Sequence, residues 1–253
     1  MLIQEKMKNG LFGCTMTWIL GILPYLKKHE LYPEWDIDTV CYGKIIPYLI
    51  IPIRISKTEK IVTLSELKEK YSHTYSDFET ANKFFFDYFT ISPVISNRVE
   101  QYKSQFIGKT LGIHYRGTDK MNNESTYISP DDFLHNVICF LSKHTYHTII
   151  IITDDQDFID KIIFDHYNVI VTDSKKSKNG EPLHFQNNTI LDAMDAMVDS
   201  LLLSKCDYVI KTSSCLSDWV KIWNPSIEVY NVNHFNYDWF PQAFIPFKTY
   251  INS

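Results

Sequence analysis

The sequence predicts an α/β protein whose C-terminal part is a Rossmann-like parallel sheet. Two observations carry that expectation. From about residue 108 onward, short β-branched runs alternate with stretches of helical apolar spacing, the order that builds parallel strands joined by crossover helices. The strand-like runs also end abruptly in polar clusters: His114–Lys120, Thr153-Asp154-Asp155 and Thr212-Ser213-Ser214. Parallel sheets bind ligands beyond the carboxyl ends of their strands, so all three clusters are expected to converge on one crevice.

Taken in order, the chain begins with a charged stretch, Met1–Gly10, that carries no apolar core of a signal peptide. Asn9–Thr15 reads as a small-residue turn opening a helix over Met16–Lys28, with Trp18, Ile19, Ile22, Leu23 and Leu26 at helical spacing. The Gly13-Cys14 turn can present free backbone N–H groups to an anion, or it can be an ordinary helix start, the simpler reading. Residues 30–56 read as irregular, with prolines at 33, 47 and 52 and a short strand near Tyr48–Ile51. Ile61–Lys70 opens with a helix-like signal, Phe78–Phe89 is an aromatic helix, and Val94–Phe106 a further helix after Pro93. A domain boundary is expected near residues 104–108.

Beyond it, Thr110–Tyr115 reads as a buried strand and Ser129–Leu141 as a helix entered through Ser129-Pro130-Asp131-Asp132. Thr148–Thr153 is a β-branched strand, Gln156–Tyr167 a helix and Val169–Thr172 a short strand. A polar loop spans Asp173–Asn188, followed by a helix at Thr189–Lys205 and a strand at Tyr208–Lys211. A helix at Leu216–Trp223 and a strand at Ile227–Asn231 complete the pattern.

Composition narrows the function classes. The net charge of -5 argues against a nucleic-acid-binding surface. The apolar runs Trp18–Leu26 and Ile45–Ile55 are shorter than the ~20 residues of a membrane span. The five cysteines are scattered and odd in number, which suits free thiols in a reducing compartment, and the default location is cytoplasmic. His144-x-x-His147 lacks further ligands nearby and reads as a turn. With neither a Gly-x-Gly-x-x-Gly nor a Walker loop, a dinucleotide dehydrogenase and a P-loop NTPase find no support.

The crevice chemistry points to a diphosphate. Arg116 offers a planar, permanently charged donor fork, Lys120 a second cation, and Thr212, Ser213 and Ser214 hydroxyls and amides. Asp154-Asp155 can be a metal pair, but an aspartate between strand and helix more often caps the helix. On the helix Thr189–Lys205, Asp192, Asp195 and Asp199 lie within about 60° of one another. The first two read as a solvated stripe. Asp199 runs into Leu201-Leu202-Leu203, and a carboxylate at such a buried edge can accept hydrogen bonds from a purine.

His114-Tyr115-Arg116-Gly117-Thr118-Asp119-Lys120 resembles the His-x-Arg-Arg-Thr-Asp-Lys motif of the α1,6-fucosyltransferases. More loosely, it resembles the His-x-Arg motif shared with nodulation-factor, α1,2- and protein O-fucosyltransferases. The later motifs follow in the family's order: Asp154-Asp155, an Asp-bearing helix running into Leu-Leu-Ser-Lys-Cys-Asp-Tyr, then Thr212-Ser213-Ser214. Gly13-Cys14 resembles the turn that starts the α1,6 enzymes' catalytic region. The likeness covers about residues 108–224.

It implies a GT-B-like, inverting, metal-independent glycosyltransferase, with GDP-fucose as donor substrate, no cofactor, and a glycan or glycoconjugate acceptor. Residues 1–104 would form a reduced acceptor-side domain and 105–253 the GDP-sugar-binding domain. By the same resemblance, His114 and Asp199 recognise guanine, Arg116 holds the diphosphate and Ser213 supports it. Asp119, Lys120 and Glu124 match the Asp-Lys-x-x-x-Glu positions, with Glu124 as general base. Gly117 departs from the pattern, standing where the family has its second arginine, a role that Lys120 or Lys211 would have to fill. Three alternatives remain: a glycosyltransferase using another GDP-linked sugar such as rhamnose, a GDP-sugar binder without turnover, and a metal-dependent nucleotide-sugar hydrolase or transferase centred on Asp154-Asp155.

Overall fold

A computed structural model describes residues 1–7, 10–56, 60–63, 66–67, 70, 77–118, 125–183 and 188–233. Asp119, Lys120 and Glu124 lie outside the described residues.

The strands of the C-terminal half are β6 (Thr110–Tyr115), β7 (Thr148–Thr153), β8 (Asn168–Val171), β9 (Tyr208–Lys211) and β10 (Glu228–Asn231). They form one parallel sheet in the order β10-β9-β6-β7-β8. Every residue of β6 and β7 is buried, as expected of β-branched strands covered on both faces. On one face, Leu111, Ile113 and Tyr115 pack with Ile149, Ile151 and Phe158, and with Phe133 and Val137 of the helix Pro130–Leu141. Alternation turns Gly112 and His114 to the opposite face, where the helix Ile190–Leu203 lies. Gly112 is needed there: a Cβ would meet Leu203 Cδ2 at 2.9 Å and Cys206 Sγ at 3.0 Å. The missing side chain lets this helix lie flush on β6, which sets the depth of Asp199.

The N-terminal half holds a second parallel sheet of β1 (Leu2–Met7), β2 (Glu34–Thr39) and β4 (Ile61–Val62), in the order β2-β1-β4. A short antiparallel pair joins β3 (Ile50–Pro52) to β5 (Phe89–Ile91). The helix expected from Met16 begins earlier: Leu11–Met16 form a π-helical turn that runs directly into Thr17–Lys28. Helices Phe78–Tyr88 and Pro93–Lys103 complete this half. Asp77 caps the first of these through Thr80 N, and Pro93 opens the second.

One apolar core passes through both halves, from Ile3, Ile22 and Phe85 to Val198, Leu202, Trp219 and Trp223. Phe85 is its knot, with ring centroids 5.3 Å from Phe89, 5.8 Å from Trp219 and 5.1 Å from Trp223. The five-stranded sheet starts at residue 110, but the packing that supports it reaches back to β1.

Two helices differ from expectation. Gln156–Tyr167 is helical only over Gln156–Ile159. Beyond it Ile163 is 78% exposed, while Ile162, Phe164 and Tyr167 pack against the core from irregular chain. Leu216–Trp223 is two short helical pieces, Cys215–Asp218 and Val220–Trp223.

Candidate functional site

The strand order reverses direction between β6 and β9: the chain steps outward from β6 through β7 to β8, then returns to add β9 and β10 on the other side. Crossover helices on opposite faces leave a crevice at such a switch point, outside the carboxyl ends of the strands. His114, Arg116 and Thr212 stand there. His114 is aligned with Lys211 across the β6–β9 pair and with Ile152 across the β6–β7 pair. The polar ends of three adjacent strands therefore meet at one place.

The lip of the crevice is tied together by Asp154. Its carboxylate accepts from Gly117 N at 2.9 Å, from the Thr118 hydroxyl, and from the Arg116 guanidinium at 2.9 Å. From the other side, the Thr212 hydroxyl accepts from Arg116 N at 2.8 Å, and Thr212 N donates to His114 O at 2.9 Å. Arg116 is thus a pre-positioned cation, with its side chain 13% exposed. Holding a guanidinium in advance reduces the entropy cost of meeting an anion.

Asp155 has a different task. Its carboxylate caps the short helix by accepting from Asp157 N at 2.9 Å and Phe158 N at 3.3 Å. Burial raises its pKa above the usual carboxylate range, the cap amides pull it down, and neighbouring Asp154 adds to the rise. The pair is therefore one brace and one cap. Among the described residues, no three His, Cys, Asp or Glu side chains converge as a metal site. His144 stacks on Phe140 at 4.4 Å, and His147 Nδ1 accepts from Lys109 N.

Gly117, the departure from the resembling motif, has a local cause. A Cβ at this position would lie 2.4 Å from Asp155 Oδ2 and 2.7 Å from Tyr115 Cε1. The backbone presses against the cap and the aromatic floor, so no side chain fits. Nor does Lys211 stand in for a second arginine at the surface. It is fully buried, with Nζ 2.6 Å from Asp218 Oδ1 and 3.2 Å from Thr212 O. Its charge braces the crevice floor.

His114 is 3% exposed, and its Nδ1 has no hydrogen-bond partner among the described residues. Burial, then the charges of Lys211 and Arg116, hold its pKa well below the usual histidine range. It is a neutral imidazole at neutral pH. Ser213 is less available than expected. Its amide donates to Asn233 Oδ1 at 2.6 Å, its hydroxyl donates to Asn233 O at 3.0 Å, and Asn231 Nδ2 donates to that hydroxyl at 3.1 Å. Ser214 is buried and begins the four-residue turn Cys215–Asp218. Gly13 approaches the same turn, where a Cβ would meet Cys215 Sγ at 3.0 Å. The Gly13-Cys14 turn therefore sits beside the β9 end.

The three aspartates of helix Ile190–Leu203 divide their work. Asp192 forms a capping box with Thr189, Asp195 accepts from Arg98 of the helix Pro93–Lys103 at 2.6 Å, and Asp199 is buried. Burial pushes the Asp199 carboxyl up to about 6, while the hydroxyls of Thr172 and Ser174 and the Lys176 ammonium pull the other way. Its Oδ1 accepts no hydrogen bond among the described residues. The turn just past β8 was not singled out in the sequence. Extending the strand-end rule to Val169–Thr172 would have pointed to Thr172, Ser174 and Lys176.

A mixed α/β fold thus places a fixed cation and a neutral histidine at the switch point, with a buried carboxyl on the helix Ile190–Leu203. Solved structures share the architecture. NodZ α-1,6-fucosyltransferase soaked with GDP-fucose aligns with a TM-score of 0.55 at 14% identity, over 88% of this chain and 92% of that one. The Se-Met fucosyltransferase NodZ from Bradyrhizobium gives 0.57 at 15%, with the same coverage. POFUT1 in complex with GDP gives 0.50 at 10%, over 92% of this chain and 98% of that chain. No family model matches the chain, and no curated protein does. No helix among the described residues is long and apolar enough to cross a membrane.

Proposed function

We propose that the protein is a glycosyltransferase that binds GDP-fucose and transfers L-fucose to a hydroxyl of a glycan or glycoconjugate by a single inverting displacement. The observation that carries this reading is the Arg116–Asp154 brace at the β6/β9 switch point, in a fold shared with fucosyltransferases solved with GDP and with GDP-fucose. In this reading Arg116 meets the diphosphate, whose charge grows as the bond to fucose breaks. Its position is fixed beforehand by Asp154 and Thr212, so little reorganisation is needed at that moment. His114 and Asp199 hold the guanine, and Ser213 acts through the Asn231–Asn233 network, positioning the crevice wall. The resemblance assigns Glu124 as the base that takes the acceptor proton, with Asp119 and Lys120 supporting it. Residues 1–104 would present the acceptor. No step in this account is assigned to a metal.

The test is GDP release and fucose transfer from GDP-fucose to an oligosaccharide acceptor panel, comparing wild type with Glu124→Gln. The reading expects GDP-fucose binding by both proteins and turnover by wild type alone. Donor binding without turnover in either protein supports a non-catalytic binder instead. Equal turnover in both proteins removes Glu124 from the mechanism.

A further inference from the structure

The outer face of the helix Pro130–Leu141 carries two metal-ligating side chains that the proposed reaction does not use. His135 and Cys139 are both exposed and stand one turn apart, the i, i+4 spacing that sets side chains one above the other. Cys139 is a free thiol, and its Sγ lies 3.5 Å from His135 Nε2. The scaffold under the pair is fixed. Phe133 and Val137 bury the opposite face of the helix against the sheet, and the Ser129 hydroxyl caps its start by accepting from Asp132 N at 3.1 Å. Neighbouring polar groups are engaged elsewhere. Asp131 accepts from the Lys161 ammonium at 2.9 Å, Asp132 accepts from the Ser129 hydroxyl at 2.6 Å, His144 stacks on Phe140, and His147 accepts from Lys109 N. The helix returns from the crevice end of β6 to the amino end of β7. Cys139, in its last turn, therefore lies at the end of the sheet away from His114 and Arg116.

We propose that His135 and Cys139 form a two-ligand site for a borderline-soft divalent cation of the zinc class. Their separation is the one that coordination requires. A Zn–S bond of ~2.3 Å and a Zn–N bond of ~2.0–2.1 Å, meeting at the tetrahedral angle of ~109°, place sulfur and nitrogen ~3.5 Å apart. One ion can bridge the pair at the spacing the helix already holds. Thiolate and imidazole favour zinc or cobalt over magnesium and calcium, which take oxygen ligands. The step is ligation without electron transfer. The Cys139 S–H bond breaks, a sulfur–metal bond forms and the proton passes to solvent, while neutral His135 gives the Nε2 lone pair with its own proton on Nδ1. With two ligands among the described residues, two tetrahedral positions are left to water, so the ion exchanges freely and is no closed structural centre. An ion held across adjacent turns also stabilises the folded chain by mass action. The site stands apart from the nucleotide crevice, so it does not depend on the guanosine-diphosphate reading.

The experiment uses the full chain, reduced, stripped of metal with a chelator and desalted. Cobalt(II) is titrated into wild type, Cys139→Ser, His135→Ala and Cys41→Ser, following the thiolate-to-cobalt charge-transfer absorption. Wild type and Cys41→Ser should develop the same band with the same midpoint. Cys139→Ser should lose the band, and His135→Ala should need at least about tenfold more cobalt for half-saturation. A second readout works on the unaltered protein: iodoacetamide alkylation of Cys139, located by peptide mass mapping. Zinc should slow this alkylation in wild type, should slow it far less in His135→Ala at the same concentration, and magnesium should slow it in neither. A band that survives in Cys139→Ser or vanishes from Cys41→Ser overturns the proposal. So does a midpoint that His135→Ala leaves unchanged, or wild-type Cys139 alkylated equally fast with and without zinc.

Discussion

Replacing Asp199 by asparagine should make the ligand-free protein more stable at pH 8 while weakening its hold on GDP. The wild-type carboxyl is buried, and its pKa is raised from 3.8 to about 6. A raised carboxyl pKa means that the folded state binds the proton more tightly than the unfolded chain does. The contribution of this carboxyl to stability is then greatest below about pH 4, is lost between about pH 4 and 6, and stays lower above that window. Two pKa units at 1.36 kcal/mol each make the penalty about 3 kcal/mol at pH 8. Asparagine keeps an acceptor for the Thr172 and Ser174 hydroxyls without a charge to desolvate. Urea unfolding of both proteins at pH 4 and pH 8 is the assay. The variant should gain up to about 3 kcal/mol at pH 8 and almost nothing at pH 4, and calorimetry should show GDP binding weakened by about 1.5–3 kcal/mol. An Asp199→Asn protein less stable than wild type at pH 8, or with a gain independent of pH, would refute the reasoning.

Three other predictions follow from the same geometry. Arg116→Ala should weaken GDP binding by about 1.5–3 kcal/mol in calorimetry, with the loss shrinking as salt rises; unchanged affinity removes Arg116 from the diphosphate site. Gly117→Ala should destabilise the protein by about 1–3 kcal/mol in denaturant unfolding, because its Cβ must displace the Asp155 cap. Phe85→Ala should cost about 3–5 kcal/mol, with fluorescence and circular dichroism still reporting one coincident transition, since Phe85 packs both halves into one core. Two separated transitions would show that the halves fold independently.

The strands that were easiest to read are those whose residues face apolar surroundings on both sides. Thr148–Thr153 is such a run, and its bounds in the structure match the sequence expectation residue for residue. The strands β1 and β2 were missed because only alternate residues are buried. In β2, Trp35 and Ile37 point inward between Glu34, Asp36 and Asp38, so the stretch resembles polar loop. At the site, the clustering of strand ends was legible because backbone periodicity sets it. What each side chain does there was less so, since roles depend on partners far along the chain. Lys211 looks like a strand-end cation until Asp218 pairs with it in the interior. Ser213 looks free until Asn231 and Asn233 surround it. Gly117 looks like a lost arginine until Asp155 and Tyr115 are seen pressing against its Cα.

The most direct test of the account is a calorimetric panel of GDP, UDP and ADP against the wild-type protein, run with and without EDTA. The account predicts that GDP binds, that UDP and ADP bind at least about tenfold more weakly, and that chelation changes nothing. Preference for UDP, or GDP binding that disappears in EDTA, would contradict it.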